Sequence, residues 1–203
     1  MEVEIPAPAL IAYIAFVLVA FGWRTWRHYR NTGESGFRGF SGGAVERSAS
    51  ILIMMGLVLA PVAPILELAG EAIPLSSLTR PAFHIIGVGV FAAGFALTVV
   101  AQIQMGASWR IGVSPGERTA LVTHGVFHHV RNPIFTGMLL ALAGLVLLVP
   151  NVLAALAFLS TLARLELQVR LVEEPYLLRT HGDEYGAYAR SVGRFVPGLG
   201  HLR

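Results

Sequence analysis

The sequence predicts an all-α integral membrane protein with about five transmembrane helices, in which a cytosolic loop and a C-terminal helix meet on one face of the bilayer. Three observations carry this. The 203-residue chain is 55% hydrophobic and only 13% charged, against about 25% charged for an average soluble domain. Its apolar residues fall into runs of spanning length. Its arginines are distributed asymmetrically about those runs, as the positive-inside rule requires.

The first eight residues contain Glu2 and Glu4 and no basic residue, unlike the positive start of a secretory signal, so no cleaved signal is expected. Ala7 to Trp23 is uninterrupted apolar sequence followed at once by Arg24, Arg27, His28 and Arg30. It reads as a first span anchored by Trp23, Trp26 and arginines. The polar, glycine-rich segment to Ser48 is a connector. Ala49 to Leu68 is a second span, which Pro61 and Pro64 are expected to kink or end. Ala82 to Gln104 is a third. Pro133 to Val149 and Val152 to Leu165, flanking Pro150-Asn151, form two short runs that read as a hairpin crossing and returning, with one kinked helix as the alternative.

Arginine placement favours the hairpin. Arg24 to Arg47, Arg110 to Arg131 and Arg164 to Arg203 then share one side, with only Arg80 opposite. That puts the amino terminus outside and the central loop and tail together in the cytosol. The expected membrane is the cytoplasmic membrane of a prokaryote. There is no cysteine and no lysine, which excludes disulfides, thiolate chemistry and a Schiff base. The formal charge of +3 is spread between spans rather than gathered in a patch, so no nucleic-acid partner is expected. The oligomeric state is left open.

Two polar stretches remain for chemistry. Between two spans lies the loop 105–132, with His124, His128, His129, Arg131 and Asn132. Adjacent histidines without HxxxH or HExxH spacing do not make a metal site, and no metal is expected. Asn132 and Pro133 suit a helix start, as cap and first-turn residue. In the segment 166–203, Glu166, Arg170, Glu173 and Glu174 are spaced to share one helical face, and Leu162, Leu165, Val169 and Val172 another. Gly182 is expected to end this helix, and Tyr185, Tyr188 and Phe195 to anchor it at the interface.

The run Leu121 to Gly137, LVTHGVFHHVRNPIFTG, resembles a signature of the membrane methyltransferase superfamily that includes isoprenylcysteine carboxyl methyltransferases and phosphatidylethanolamine N-methyltransferases. Arg170, Glu173-Glu174, Leu177 and Gly182 to Tyr188, ending near Phe195-Val196-Pro197, resemble its second signature. Gly87-Val88-Gly89 looks like the GxG of the phospholipid enzymes, although such a pair in an apolar helix also serves packing. The resemblance covers about the last 120 residues. It divides the chain into 1–81, two helices and connectors, and 82–203, a methyltransferase core.

The resemblance implies methyl transfer from S-adenosylmethionine to a hydrophobic or lipid-like acceptor reached from the bilayer. Carboxyl O-methylation is favoured over phospholipid amine N-methylation, because a carboxylate is already ionised at neutral pH and an amine must first lose a proton. It also implies a cofactor site drawn from Gly87, Gly89, Gln104, His124, Gly125, Phe127, His128, Arg131, Asn132, Pro133, Glu173, Glu174 and Tyr185. Of these, Glu173 or Glu174 would hold the cofactor's ammonium or ribose. Arg170, Glu173 and Asn132 are the candidate catalytic residues; Arg170 would orient an acceptor carboxylate or else pair with Glu166. Gln104 and Trp109 are candidate pocket-lining residues. Asn132 stands where the pattern has histidine, so a titrating imidazole there is lost. Two other classes compete: a non-catalytic membrane binding module that keeps the fold, and a related membrane reductase.

Overall fold

In a computed structural model the described residues are 5–33, 44–108 and 120–202; Trp109 lies outside them. Helix α1 runs Pro6–Thr32. Nothing in Arg24–Thr32 breaks a helix, so the rod continues past the expected boundary at Trp23 and stops at Gly33, whose φ is 77°. Arg24, Arg27 and Arg30 therefore ride on the helix itself. A π-helical turn, Leu18–Trp23, interrupts it.

Helix α2, Ala44–Leu68, contains Pro61 and Pro64 and is not ended by them. Pro61 removes the donor that would have met the Leu57 carbonyl one turn back. The Tyr13 hydroxyl of α1 donates to that carbonyl instead, at 3.3 Å. A neighbouring helix thus satisfies the freed group, which is how spanning helices tolerate proline.

Helices α3, Pro81–Met105, and α4, Pro133–Leu148, make the closest packing in the molecule. Gly87 and Gly94 of α3 face Gly144 and Gly137 of α4. A Cβ on Gly144 would sit 2.5 Å from the Phe91 nitrogen, and one on Gly87 would sit 2.9 Å from Leu147 Cβ. Small residues let the backbones touch where the bilayer supplies no hydrophobic drive for helices to associate.

Helix α5, Val152–Gln168, returns from α4 through Val149–Asn151, so the hairpin rather than the kinked helix is realised. Asn151 is fully buried and holds the corner. Its Oδ1 accepts from Ala154 N at 3.0 Å, and its Nδ2 donates to the Ala63 carbonyl at 3.1 Å and to Glu67 Oε2 at 2.7 Å. Helix α5 passes through a π turn, Val169–Glu173, into α6, Glu174–Ser191. At Gly182 (φ 54°, ψ −127°) the backbone leaves helical geometry, so the first helical piece of α6 stops there, as expected, and a second piece follows across a kink, held in place by the buried Tyr185 and Ala189.

Among the described residues, four of the apolar segments are long enough to cross a membrane. The 16-residue α4 is about 24 Å long, shorter than a hydrocarbon core of about 30 Å. A single core joins Phe16 of α1, Ala60 of α2, Phe91 of α3, Leu145 of α4 and Ala157 of α5. The first two helices therefore pack into the same body as the rest. At one end of it Leu75 N and Val152 N bond to the Pro150 and Ile73 carbonyls. At the other, Gln102 Nε2 donates to the Ala20 carbonyl at 2.8 Å and Arg24 Nη2 to the Gly106 carbonyl at 2.5 Å.

Candidate functional site

The loop before α4 and the tail after α6 are joined at that second end. Arg131 N donates to the Gly193 carbonyl at 2.8 Å, and Asn132 N to the Arg194 carbonyl at 3.1 Å. The Asn132 Nδ2 donates to the same Arg194 carbonyl, also at 3.1 Å. Asn132 does occupy the cap position of α4, with Pro133 in the first turn, yet its side chain makes no capping bond. It binds the tail instead.

Behind this seam is a buried charge cluster. Glu174 Oε1 accepts from Arg131 Nη1 at 2.8 Å and from Arg194 Nε at 2.7 Å, while Oε2 accepts from Arg194 Nη2 at 3.0 Å. Arg131 also donates to the Tyr185 hydroxyl at 2.9 Å, the Val192 carbonyl at 3.0 Å and the Gly200 carbonyl at 2.7 Å. Every partner of this guanidinium lies on the helix-to-tail segment, so one side chain fixes the loop to four tail positions. Hydrogen bonding to Glu174 raises the Arg194 pKa above its ordinary value, outweighing the lowering effect of burial. Such a cluster is held by mutual compensation: each charge is costly to bury and satisfied only by the others.

The π turn decides which acidic residue goes where. It inserts an extra residue into the helical repeat, so Glu166, Arg170, Glu173 and Glu174 do not share the single face their spacing predicts. Glu166 and Arg170 pair with each other on an exposed surface, the Arg170 side chain being 57% accessible. Glu174 turns inward to the two arginines. Glu173 is half-buried between them in sequence and accepts from Gln168 Nε2 at 3.1 Å. Leu165 and Val169 pack with Leu139 and Phe195. The two tyrosines and Phe195 are not interface anchors: Tyr185 is buried with its hydroxyl on Arg131, and the Tyr188 hydroxyl donates to the Phe127 carbonyl at 2.5 Å.

The loop's other residues gather at the same end. Gly125 has φ 62°, a left-handed position that favours glycine, and a Cβ there would fall inside the Gln104 carboxamide. Gln104 Oε1 accepts from Val126 N at 2.8 Å, bolting the end of α3 to the 3₁₀ turn Gly125–His128. Phe127 is buried beneath this turn, and His124 and His128 are exposed on it. His128 and His129 stand edge to face with centroids 5.5 Å apart.

Gly87 and Gly89 are not brought to this group. They precede Gln104 by 17 and 15 residues in one helix, which is about 22–26 Å of helical rise. Gly87 packs against Gly144 and Leu147, and Gly89 has open space around it. The GxG is a packing feature here. Arg194, conversely, belongs to the buried cluster with Arg131 and Glu174 and is absent from the matched motifs. The available signal was a lone arginine enclosed by Val192, Gly193 and Phe195.

The profile of the phospholipid methyltransferase family matches residues 82–184. Protein-S-isoprenylcysteine O-methyltransferase A of Arabidopsis thaliana is 30% identical over 152 residues, covering 73% of this chain and 77% of that protein. The protein-S-isoprenylcysteine O-methyltransferase of Schizosaccharomyces pombe is 29% identical over 112 residues, covering 54% of this chain and 48% of that one. Among solved structures, the eukaryotic intramembrane Ras methyltransferase ICMT superposes with a TM-score of 0.56 at 20% identity, over 78% of this chain and 53% of that chain. This chain thus spans about half the length of that solved protein and of the S. pombe relative, and the structural likeness is one of fold. The chain belongs to the phospholipid methyltransferase family of membrane methyltransferases.

Proposed function

We propose that the chain is an S-adenosylmethionine-dependent methyltransferase that forms a methyl ester on the carboxylate of a hydrophobic, lipid-like acceptor. The observation that carries this is the polar shelf built where loop and tail are stapled by Arg131, Glu174 and Arg194, at the end of a bundle whose other walls are apolar. Such a shelf suits a charged soluble cofactor, and the surrounding helices give a lipid-like acceptor access from the bilayer.

The donor set fits the cofactor. Both oxygens of Glu174 are committed to arginines, whereas Glu173 accepts from the Gln168 amide and is attracted by the Arg164 guanidinium. Glu173 is therefore the carboxylate that would take the cofactor's ammonium or ribose hydroxyls, and Glu174 positions it by fixing the helix. The exposed imidazoles of His124 and His128 and the Gly125 turn would supply another wall. When bound, the cofactor supplies a methyl group already activated on a sulfonium. The chain's own contribution is then approximation and alignment, with exclusion of water by the loop. Arg170 would meet the acceptor carboxylate by exchanging its Glu166 partner.

The relatives named above are isoprenylcysteine O-methyltransferases, which favours a carboxyl acceptor. Asn132 supports the same choice, because its amide is spent on the Arg194 carbonyl and does not titrate. Amine methylation is the second reading, favoured by the family profile and by the exposed histidines at this end. In both readings the site faces the cytosol, the amino terminus lies outside, residues 82–203 form the catalytic core, and the membrane is a prokaryotic cytoplasmic one, although the named relatives are eukaryotic. Purified protein is tested with radiolabelled methyl donor on farnesylated cysteine, fatty acid and phosphatidylethanolamine. Base-labile label, released as methanol, identifies an ester; base-stable label identifies N-methylation. Absence of calorimetric S-adenosylmethionine binding at millimolar concentration would refute both.

A further inference from the structure

A polar recess lies where the C-terminal half of α1 meets the last turn of α3. It is a cleft of about 160 Å³ lined by Trp23, Arg24, Arg27, His28, Ile103 and Gly106, with Asn31 and Thr32 at its rim. That is about ten times the roughly 10–15 Å³ that one water needs on the same measure, so a phosphate group can enter. Arg24 and His28 are buried, and Arg24 is held by the Gly106 carbonyl. The Arg27 guanidinium lies over the Trp23 ring at 5.3 Å, an arrangement that aims a cation while keeping its edge available for hydrogen bonding. Apolar side chains exposed on the same two helices, Leu18 of α1 and Val100 and Ile103 of α3, are suited to acyl chains.

We propose that this cleft binds the phosphate of an anionic phospholipid headgroup, with the acyl chains lying along α1 and α3. Basic recesses between spanning helices at the cytosolic face have the chemistry for such headgroups. Arginine near a helix C-terminus is also favoured by the helix dipole alone, and Arg30 separates the two effects. It sits on the same terminal segment and stacks on Trp26 at 5.1 Å, but it does not line the cleft.

The test uses the full chain in mixed micelles titrated with phosphatidylglycerol or phosphatidylcholine of matched acyl chains, with retained lipid counted by native mass spectrometry. Wild type is expected to retain phosphatidylglycerol preferentially. Arg27→Gln should weaken that retention about five-fold, the size of one arginine's attraction to an anionic lipid, with an unchanged melting temperature. Arg30→Gln should leave retention as in wild type. Equal losses in the two variants, or no preference for phosphatidylglycerol, would overturn the proposal. A third arm adds millimolar inorganic phosphate, which should not displace the lipid; displacement would overturn the lipid assignment in favour of a free anion.

Discussion

Removing the Glu174 charge separates a structural role from a ligand-binding one. Glu174→Gln keeps the size of the side chain and leaves Arg131 and Arg194 buried at 6% and 8% exposure with no carboxylate between them. Breaking a buried pair by neutralising one partner costs about 3–5 kcal/mol. At roughly 2–4 °C per kcal/mol for a chain of this size, the melting midpoint should fall by about 6–20 °C. The loop-to-tail seam should loosen with it, read as faster hydrogen exchange at Arg131 and Asn132, whose amides donate across that seam. Glu173→Gln should behave differently. It gives up the carboxylate that accepts from Gln168 and attracts Arg164 but leaves the Arg131–Glu174–Arg194 cluster intact, so the midpoint should fall by less than in Glu174→Gln. It should lose the charge-assisted contact to S-adenosylmethionine, a fall in affinity of about ten- to hundred-fold. Melting by differential scanning fluorimetry and binding by calorimetry on both variants decide the matter. A Glu174→Gln protein that melts with wild type and loses only cofactor affinity would refute the assignment of Glu174 to the cluster and of Glu173 to the cofactor.

Three further outcomes follow from the same geometry. Gly87→Ala places a methyl group against Leu147 and the Gly144 carbonyl and should destabilise by about 1–3 kcal/mol. Gly89→Ala meets open space and should be neutral or stabilising by up to about 1 kcal/mol; thermal melts check both, and cofactor affinity should change in neither. Gly125→Ala must adopt a left-handed φ at a cost of about 1–2 kcal/mol and also collides with Gln104, so its melt should fall even when Gln104→Ala is added to relieve the clash. Arg170→Ala breaks an exposed pair worth about 0–1 kcal/mol. It should therefore fold and bind cofactor as wild type while kcat/KM for the acceptor falls; an unchanged kcat/KM would leave Arg170 to its pair with Glu166 alone.

The helices themselves were legible in the sequence because spanning runs are a property of local composition. The hairpin at Pro150-Asn151 follows from hydropathy and charge, which the bilayer reads residue by residue, whereas the expected count of about five is met by four segments of spanning length among the described residues and the shorter α4. The family resemblance put Arg131 and Glu174 among the same candidate residues, and the two side chains pair in the structure. Three things depended on the third dimension. Periodicity placed Glu166, Arg170, Glu173 and Glu174 on one face, and a π turn, which no local pattern announces, sent them to different surroundings. Prolines that should break α2 sit inside it, because Tyr13 from another helix supplies a missing donor. Arg194 became a partner of Glu174 only when the tail folded back on α4. Sequence alone determined which segments must leave water, since transfer energies are carried by each side chain. Which polar groups then satisfy one another was decided by tertiary structure, since a buried charge is stable only against partners brought from elsewhere in the chain.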